Sequence, residues 1–289
     1  MGEKDGLDGP KMEFDAPLTT CPLCDSTRIH FYIADFKEIR IYRCDSCTVL
    51  FVNPQYTASA LAEFYSHYTE SDPAKIQAGY DPVRRERKRR NLLELRRGLG
   101  SDPRFLGIGC GDGLELVIAR ELGFKVEGYD VDSRSASAVQ AATGVPVASG
   151  DLFSAGFGAG SYDCVFLEQV LEHPKNPAAH LRLVHDLLRP GGLCYLGVPN
   201  ITSLSNRWKS FRDRVGLRSR ERVGSHFDTW HHLHYYSPRC FRTVLEPRFG
   251  LRVDHFHADP EPTMASPVYS LRRALPLLDS SLIVIAHRT

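Results

Sequence analysis

The chain has 289 residues, 42% of them apolar and 25% charged, with a formal net charge of +1. That leaves room for one large domain with a small companion and excludes low-complexity, collagen-like and strongly charged disordered chains. Charge this evenly balanced gives no global attraction to nucleic acid or to an anionic membrane. No apolar run approaches the roughly 20 residues of a membrane span, and the N-terminus carries charges and breakers where a signal peptide needs an apolar stretch. The expected location is cytoplasmic.

Residues 1–17 read as a disordered N-terminus. After them, "CPLC" (Cys21, Cys24) and "CDSC" (Cys44, Cys47) form two Cys-x2-Cys pairs separated by nineteen residues. Each pair can sit on one tight knuckle with both thiolates on a single ion at about 2.3 Å, and two knuckles complete a closed tetrahedron. The expectation is a structural zinc ribbon over 18–55, stabilised largely by its metal. The intervening "IHFYIADFKEIRIYR" suits a short antiparallel pair. The other cysteines, Cys110, Cys164, Cys194 and Cys240, are scattered singly and read as small hydrophobes.

A helical linker or cap is expected over 56–100. Thr57 caps a first helix that buries Leu61, Phe64, Tyr65 and Tyr68, and Asp81-Pro82 opens a second with its leucines late. The second helix carries six basic residues between Arg84 and Arg90. Such a run reads first as a solvated face and second as a phosphate or RNA contact.

From Arg104 onward strand and helix signals alternate: "RFLGIG", "DGLELVIARELG", "KVEGYDVD", "SRSASAVQAATG", "VPVASGD", "YDCVFLEQ", "NPAAHLRLVHDLLRPGG", "LCYLGVPN". This predicts an α/β, doubly wound Rossmann-like sheet whose ligand lies beyond the carboxyl ends of the strands. In the glycine loop the spacing is Gly109-x-Gly111-x-Gly113, one residue shorter than the dinucleotide fingerprint, which favours a ligand without a pyrophosphate. Asp130 ends the second strand, placed for two ribose hydroxyls, and Asp151 with Leu152 follows the third, placed for an adenine. Residues 201–238 interrupt the fold with tryptophans, arginines and a histidine–tyrosine run, and are expected to form a lid at about 201–236 over an acceptor site.

The ordered set "GIGCGDG", "GYDVD", "GDL", "SYDCVFLEQVLEH" and "LLRPGGLCYLGVPN", spanning about 104–200, resembles the class I S-adenosylmethionine-dependent methyltransferases. The resemblance implies a methyltransferase domain over 101–289 with the last strand antiparallel. It implies cofactor contacts from Gly109, Cys110, Gly111, Gly113, Asp130, Val131, Asp151 and Leu152, with Glu168 near the sulfonium. Gly107 stands where members carry Asp or Glu, and Asp112 reads as a cap or as its replacement.

An oxygen or carbon acceptor needs a base, and Glu172, His173 and His232 are the candidates, with His173 preferred for its pKa near neutrality. His173 reads equally as a structural residue. "QVLEH" resembles the Glu-x-x-Glu-His of ubiquinone-pathway O-methyltransferases, associated there with a divalent ion; Gln169 replaces the first acid, so no catalytic metal is expected. His232, Tyr236 and Ser237 match a His-x-x-x-(Tyr/Phe)-Ser stretch of similar members. The implied function is methyl transfer from S-adenosylmethionine to a small acceptor, such as a sugar, polysaccharide precursor or natural-product intermediate. The alternatives are an RNA methyltransferase and a non-catalytic cofactor-binding module.

Overall fold

A computed structural model describes residues 13–67, 80–217, 219, 222–260 and 266–289. The two cysteine knuckles flank β1 (Ile29–Ala34) and β2 (Arg40–Cys44), which pair antiparallel, and β3 (Leu50–Val52) continues the sheet beside β2. Of the N-terminal residues expected to be disordered, 13–17 are described: Phe14 bridges to Tyr56, and their rings stack at 4.9 Å. Helix α1 (Ala58–His67) starts where Thr57 Oγ1 accepts from the Ala60 N–H, and it buries Leu61 and Phe64. Tyr68 lies outside the described residues. Helix α2 (Pro82–Arg97) has Pro82 in its first turn, and Asp81 accepts from the Arg84 N–H.

The larger unit runs β4 (Arg104–Ile108), α3 (Leu114–Glu121), β5 (Lys125–Asp130), α4 (Ser133–Thr143), β6 (Val147–Ser149), β7 (Tyr162–Glu168), α5 (Pro177–Leu187) and β8 (Leu188–Pro199). It continues through α6 (Leu204–Arg214), β9 (His234–Tyr235), α7 (Pro238–Phe249), β10 (Leu251–His257), α8 (Ser266–Ala274) and β11 (Ser281–Arg288). Seven strands form one sheet in the order β10-β11-β8-β7-β4-β5-β6. Strands β6, β5, β4, β7 and β8 run parallel, whereas β11 is antiparallel to both β8 and β10. The sheet is therefore mixed, and the direction in which strands are added reverses between β4 and β7. A crevice opens at the carboxyl ends beside such a reversal.

Burial on both faces explains the near-continuous apolar strands. Phe105, Phe166 and Tyr195 are fully buried on one face, with the last two stacked at 4.1 Å; each such ring stabilises the fold by about 1.5–3 kcal/mol. One boundary differs from the sequence reading. Helix α5 stops at Leu187, and the "LRPGG" stretch belongs to β8, because Pro190 lacks the N–H a helix would need and Leu188 pairs with Tyr162.

The small sheet has the order β1-β2-β3-β9. Its outer strand comes from the insertion after β8, nearly two hundred residues away in sequence. The joint is reinforced beyond the β3–β9 ladder: Phe36 N–H donates to the Val223 carbonyl (2.8 Å), Thr229 Oγ1 to Asp35 Oδ2 (2.5 Å), and Val52 N–H to the Leu233 carbonyl (2.9 Å). The cysteine knuckles and the insertion thus share one hydrogen-bonded sheet.

Candidate active site

The glycine loop joins β4 to α3, and three positive φ angles at Gly109 (71°), Gly111 (50°) and Gly113 (76°) fold it tightly. A Cβ on Gly109 would stand 2.4 Å from Val170 Cγ2, and one on Gly113 would stand 2.5 Å from Val139 Cγ1. The first contact holds the loop against the end of β7 and the second against α4, so side chains are excluded by conformation and by space. Asp130 ties the loop to β5: its Oδ2 accepts from Gly111 N–H (2.8 Å) and its Oδ1 from Asp132 N–H (3.0 Å).

Beyond these strand ends lies a cavity of about 600 Å³, within the range of small-molecule sites. Of the residues to which the resemblance assigns cofactor contacts, Gly109, Gly111, Asp130, Val131, Leu152 and Glu168 line it. Three other implied residues do not. Cys110 is buried behind the loop, Gly113 serves as the start of α3, and the exposed Asp151 accepts from Phe153 N–H (3.3 Å). Asp132 and Ser135, at the start of α4, line the cavity without having been singled out in the sequence.

The wall opposite the glycine loop is assembled from distant segments. Leu61 and Tyr65 come from α1, His173 from the segment after β7, and His231 with His232 from the insertion. The His173 and His231 rings stack at 5.2 Å, and Phe64 stacks on the far face of His231 at 5.6 Å. Burial, helped by neighbouring His231, pulls the His173 pKa down to about 4. Burial pulls His232 down to about 2, with His173 and His231 adding to the effect. Both imidazoles are therefore neutral at pH 7. His173 Nδ1 lies 3.2 Å from the His231 carbonyl, which can only accept, so Nδ1 carries the hydrogen and Nε2 keeps the lone pair.

Glu172 is placed differently from its two partner candidates. Its side chain is fully buried and lines neither cavity, and among the described residues neither carboxyl oxygen has a hydrogen-bond partner. Burial pushes its pKa up to about 8, which keeps it a neutral acid at pH 7. Its backbone carbonyl accepts from Leu233 N–H (2.8 Å) and His234 N–H (3.1 Å), pinning the insertion to the end of β7. Tyr236 and Ser237 are structural as well: the Tyr236 hydroxyl donates to the Leu171 carbonyl, and Ser237 caps α7.

A second cavity, about 440 Å³, lies under the insertion. Gln169 and His232 line both cavities, so the two meet at that pair. Gln169 holds φ at 55°, a conformation that costs a non-glycine residue energy and is concentrated at functional sites. The second cavity is polar, lined among others by Asn206, Lys209, Ser225, His226, Asp228 and Ser281.

The basic run on α2 is neither a solvated face nor a free patch. Arg84 pairs with both oxygens of Asp112, Arg85 with Glu121, Arg87 with Asp259, and Arg90 with Glu86. Lys88 is buried and pairs with Glu168 at the cavity and with Glu115 at 3.5 Å. Burial disfavours its charge, but the two carboxylates outweigh burial and raise its pKa. Burial pushes Glu115 up to about 7, an effect Lys88 partly offsets. Four of the six basic side chains thus fasten α2 to carboxylates elsewhere in the fold, among them Asp112 in the glycine loop and Glu115 beside it, while Arg90 pairs within the helix. The i, i+4 spacing of Arg84 and Lys88 was the available signal that they share one face.

This packing also accounts for Gly107. The space a side chain would need is occupied by Leu116, whose Cδ2 would stand 2.7 Å from an added Cβ, with Glu115 alongside. Asp112 does both jobs at the start of α3: its Oδ1 accepts from Leu114 N–H (3.3 Å), and its carboxylate receives Arg84.

In the cysteine knuckles, all four sulfurs lie within 4.8 Å of one another, and the Cys21–Cys47 and Cys24–Cys44 pairs are each 3.6 Å apart. Four thiolates around one zinc at 2.3 Å have edges of about 3.8 Å, so the set fits a tetrahedral ion.

The strand order, the glycine loop after β4 and the cavity at the strand ends define a class I, Rossmann-like methyltransferase domain. The same conclusion comes from comparison: a family described as a methyltransferase domain matches residues 80–255, more than half of the chain, and the chain belongs to that family. Among curated relatives, the ubiquinone biosynthesis O-methyltransferase of Caulobacter vibrioides is 33% identical over 106 residues, covering 34% of this chain and 41% of that protein. Its namesake from Pseudomonas aeruginosa is 30% identical over 129 residues, covering 38% and 50%. The chain therefore spans half or less of the length of these relatives. Magnesium protoporphyrin IX methyltransferase from Synechocystis, solved with SAH bound, shares the fold with a TM-score of 0.50 at 16% identity, covering 72% of this chain and 84% of that one.

Proposed function

We propose that this protein transfers a methyl group from S-adenosylmethionine to a small polar acceptor, with the cofactor in the first cavity and the acceptor in the second. The observation that carries this reading is the meeting of the two cavities at Gln169 and His232. When bound, S-adenosylmethionine supplies a methyl on a positively charged sulfur, so the protein's share is alignment, exclusion of water and removal of one proton.

Asp130 is suited to the ribose hydroxyls, Val131 and Leu152 to the faces of the adenine, and Gly109 and Gly111 to close backbone approach. Glu168, held by Lys88, fixes the carboxylate nearest the sulfur. His232 at the junction and His173 beside it, both neutral, are the candidate proton acceptors. Glu172 supports them through the backbone that anchors the insertion and does not touch the acceptor. Cys110, Gly113 and Asp151 hold the loops that shape the cavity.

The polar lining of the second cavity favours a hydroxylated acceptor, such as a sugar, polysaccharide precursor or natural-product intermediate, over an apolar one. The relatives act in ubiquinone biosynthesis by name, and a hydroxylated ring is compatible with that chemistry too. An RNA acceptor loses its sequence support, because the basic run is occupied by intramolecular carboxylates. A structural zinc ion on Cys21, Cys24, Cys44 and Cys47 completes the reading.

Titration calorimetry with S-adenosylhomocysteine tests the cofactor assignment. One saturable site per chain is expected, weakened roughly 10- to 100-fold by Asp130→Ala, as for loss of charge-assisted hydrogen bonds. An unchanged affinity in that variant would remove Asp130 from the site.

A further inference from the structure

Helix α6 is amphipathic in the reverse sense. Its inward positions are polar: Asn206 donates to the Asn200 carbonyl (2.9 Å), Ser210 Oγ lies 2.9 Å from His226 Nε2, and Asp213 Oδ2 accepts from Gly224 N–H (3.1 Å). Its outward positions are apolar. Leu204, Trp208, Phe211 and Val215 recur at helical spacing and are all about half exposed or more, with Trp208 at 59% and its ring stacked on Phe211 at 5.6 Å. Leu217 continues the stripe at 62% exposure. Beside α6 packs the 276–278 turn, which presents Leu277 and Leu278 to solvent. A helix that turns polar groups inward and aromatic groups outward forgoes the burial that normally holds it in place, and such a patch marks an interaction site.

The charge around the stripe identifies the partner. Of the cations in residues 204–214, Lys209 lines the second cavity and Arg207, Arg212 and Arg214 remain, against one acid, Asp213, in a chain whose overall balance is only +1. Arg207 and Arg212 are exposed beside Trp208 and Phe211. Aromatic and leucine side chains edged by arginines are the composition of a helix that lies in the plane of an anionic lipid surface. A second copy of the chain is a poorer occupant, since a symmetric contact would set these cations against their own kind. No described helix is long and apolar enough to cross a membrane, so the contact is peripheral.

We infer that the outward face of α6, with the adjoining 276–278 turn, docks this protein on anionic lipid. The opposite side of the same helix supplies Asn206 and Lys209 to the second cavity, so docking places one wall of that cavity at the lipid surface. Lipid binding of this kind does not depend on which acceptor is methylated.

Flotation of the full-length protein with phosphatidylcholine vesicles, with and without phosphatidylglycerol, tests this, with Trp208→Glu/Phe211→Glu as the variant. These side chains are exposed, so the variant should keep its melting temperature and its affinity for S-adenosylhomocysteine. The expected result is binding to the phosphatidylglycerol vesicles that weakens with salt and falls roughly tenfold or more in the variant. Arg207→Glu/Arg212→Glu should abolish the preference for anionic over neutral vesicles. Absence of binding, equal binding to neutral vesicles, or full binding by the Trp208/Phe211 variant would each overturn the inference. So would a dimer that the variant dissolves without any vesicle binding.

Discussion

The two halves of the site are built on different principles. The half proposed for the cofactor, at the glycine-loop side of the first cavity, comes from one continuous stretch, β4 to β7, where short loops follow parallel strands and the backbone itself shapes the cavity. The other half, made of the second cavity and the wall of the first that faces the glycine loop, is put together from α1, the end of β7 and an insertion whose strand β9 is borrowed by the cysteine-knuckle sheet. Local geometry fixes the first half. The second depends on contacts between residues nearly two hundred positions apart, so damage far from the chemistry should reach it selectively.

The largest effect should come from the junction itself. His173→Ala and His232→Ala should each lower kcat by roughly 10²–10⁴ if that ring is the proton acceptor, with cofactor affinity changed little. A loss confined to KM would assign the ring to binding instead. In the unsubstituted enzyme, burial of these imidazoles should move the acid limb of the kcat/KM profile well below pH 6.5. A limb at pH 6.5 would contradict the neutral, buried state of His173.

A middle-sized effect is expected at the other end of the chain. Cys21→Ser/Cys47→Ser, or removal of the metal by a strong chelator, should release one zinc ion per chain and loosen the β3–β9 ladder. Acceptor KM should rise severalfold while affinity for S-adenosylhomocysteine stays within about twofold, because the cofactor loops make none of these contacts. Equal damage to both would mean that the two halves are not separable.

The smallest effect concerns pH and stability. Burial raises Glu172 to about 8 from an ordinary carboxyl value, so its contribution is complete below about pH 4.5 and is lost as pH rises through 8. His173 has the opposite sign: its lowered pKa gives stability above pH 6.5 that is lost as pH falls toward 4. Glu172→Gln should therefore flatten the fall in melting temperature between pH 6 and 8.5, by roughly a few degrees. An unchanged slope would show that Glu172 is ionised in the fold.

What could be read from sequence follows the same division. Alternating periodicity, the glycine spacing and Asp130 exposed the sheet and most of the cofactor cavity, because each signal is local. The cysteine spacing announced the knuckles for the same reason. Hidden from it was the sharing of a sheet between β3 and β9, since a two-residue strand carries no periodicity. The basic run misled for a related reason: its partners, Asp112, Glu115, Glu168 and Asp259, lie 27 or more positions away, so a charge pattern read locally looks solvent-facing. Gln169 gave a chemical hint but not its backbone conformation, and nothing in the sequence around Asp151 announced that its side chain accepts from the Phe153 backbone N–H.

A crystal structure with S-adenosylhomocysteine bound addresses the central claim most directly. The account predicts the ribose hydroxyls on Asp130, the adenine beside Leu152, and the sulfur facing Gln169 and His232, the pair that lines both cavities. A cofactor seated under the insertion, or a sulfur turned away from that pair, would contradict it.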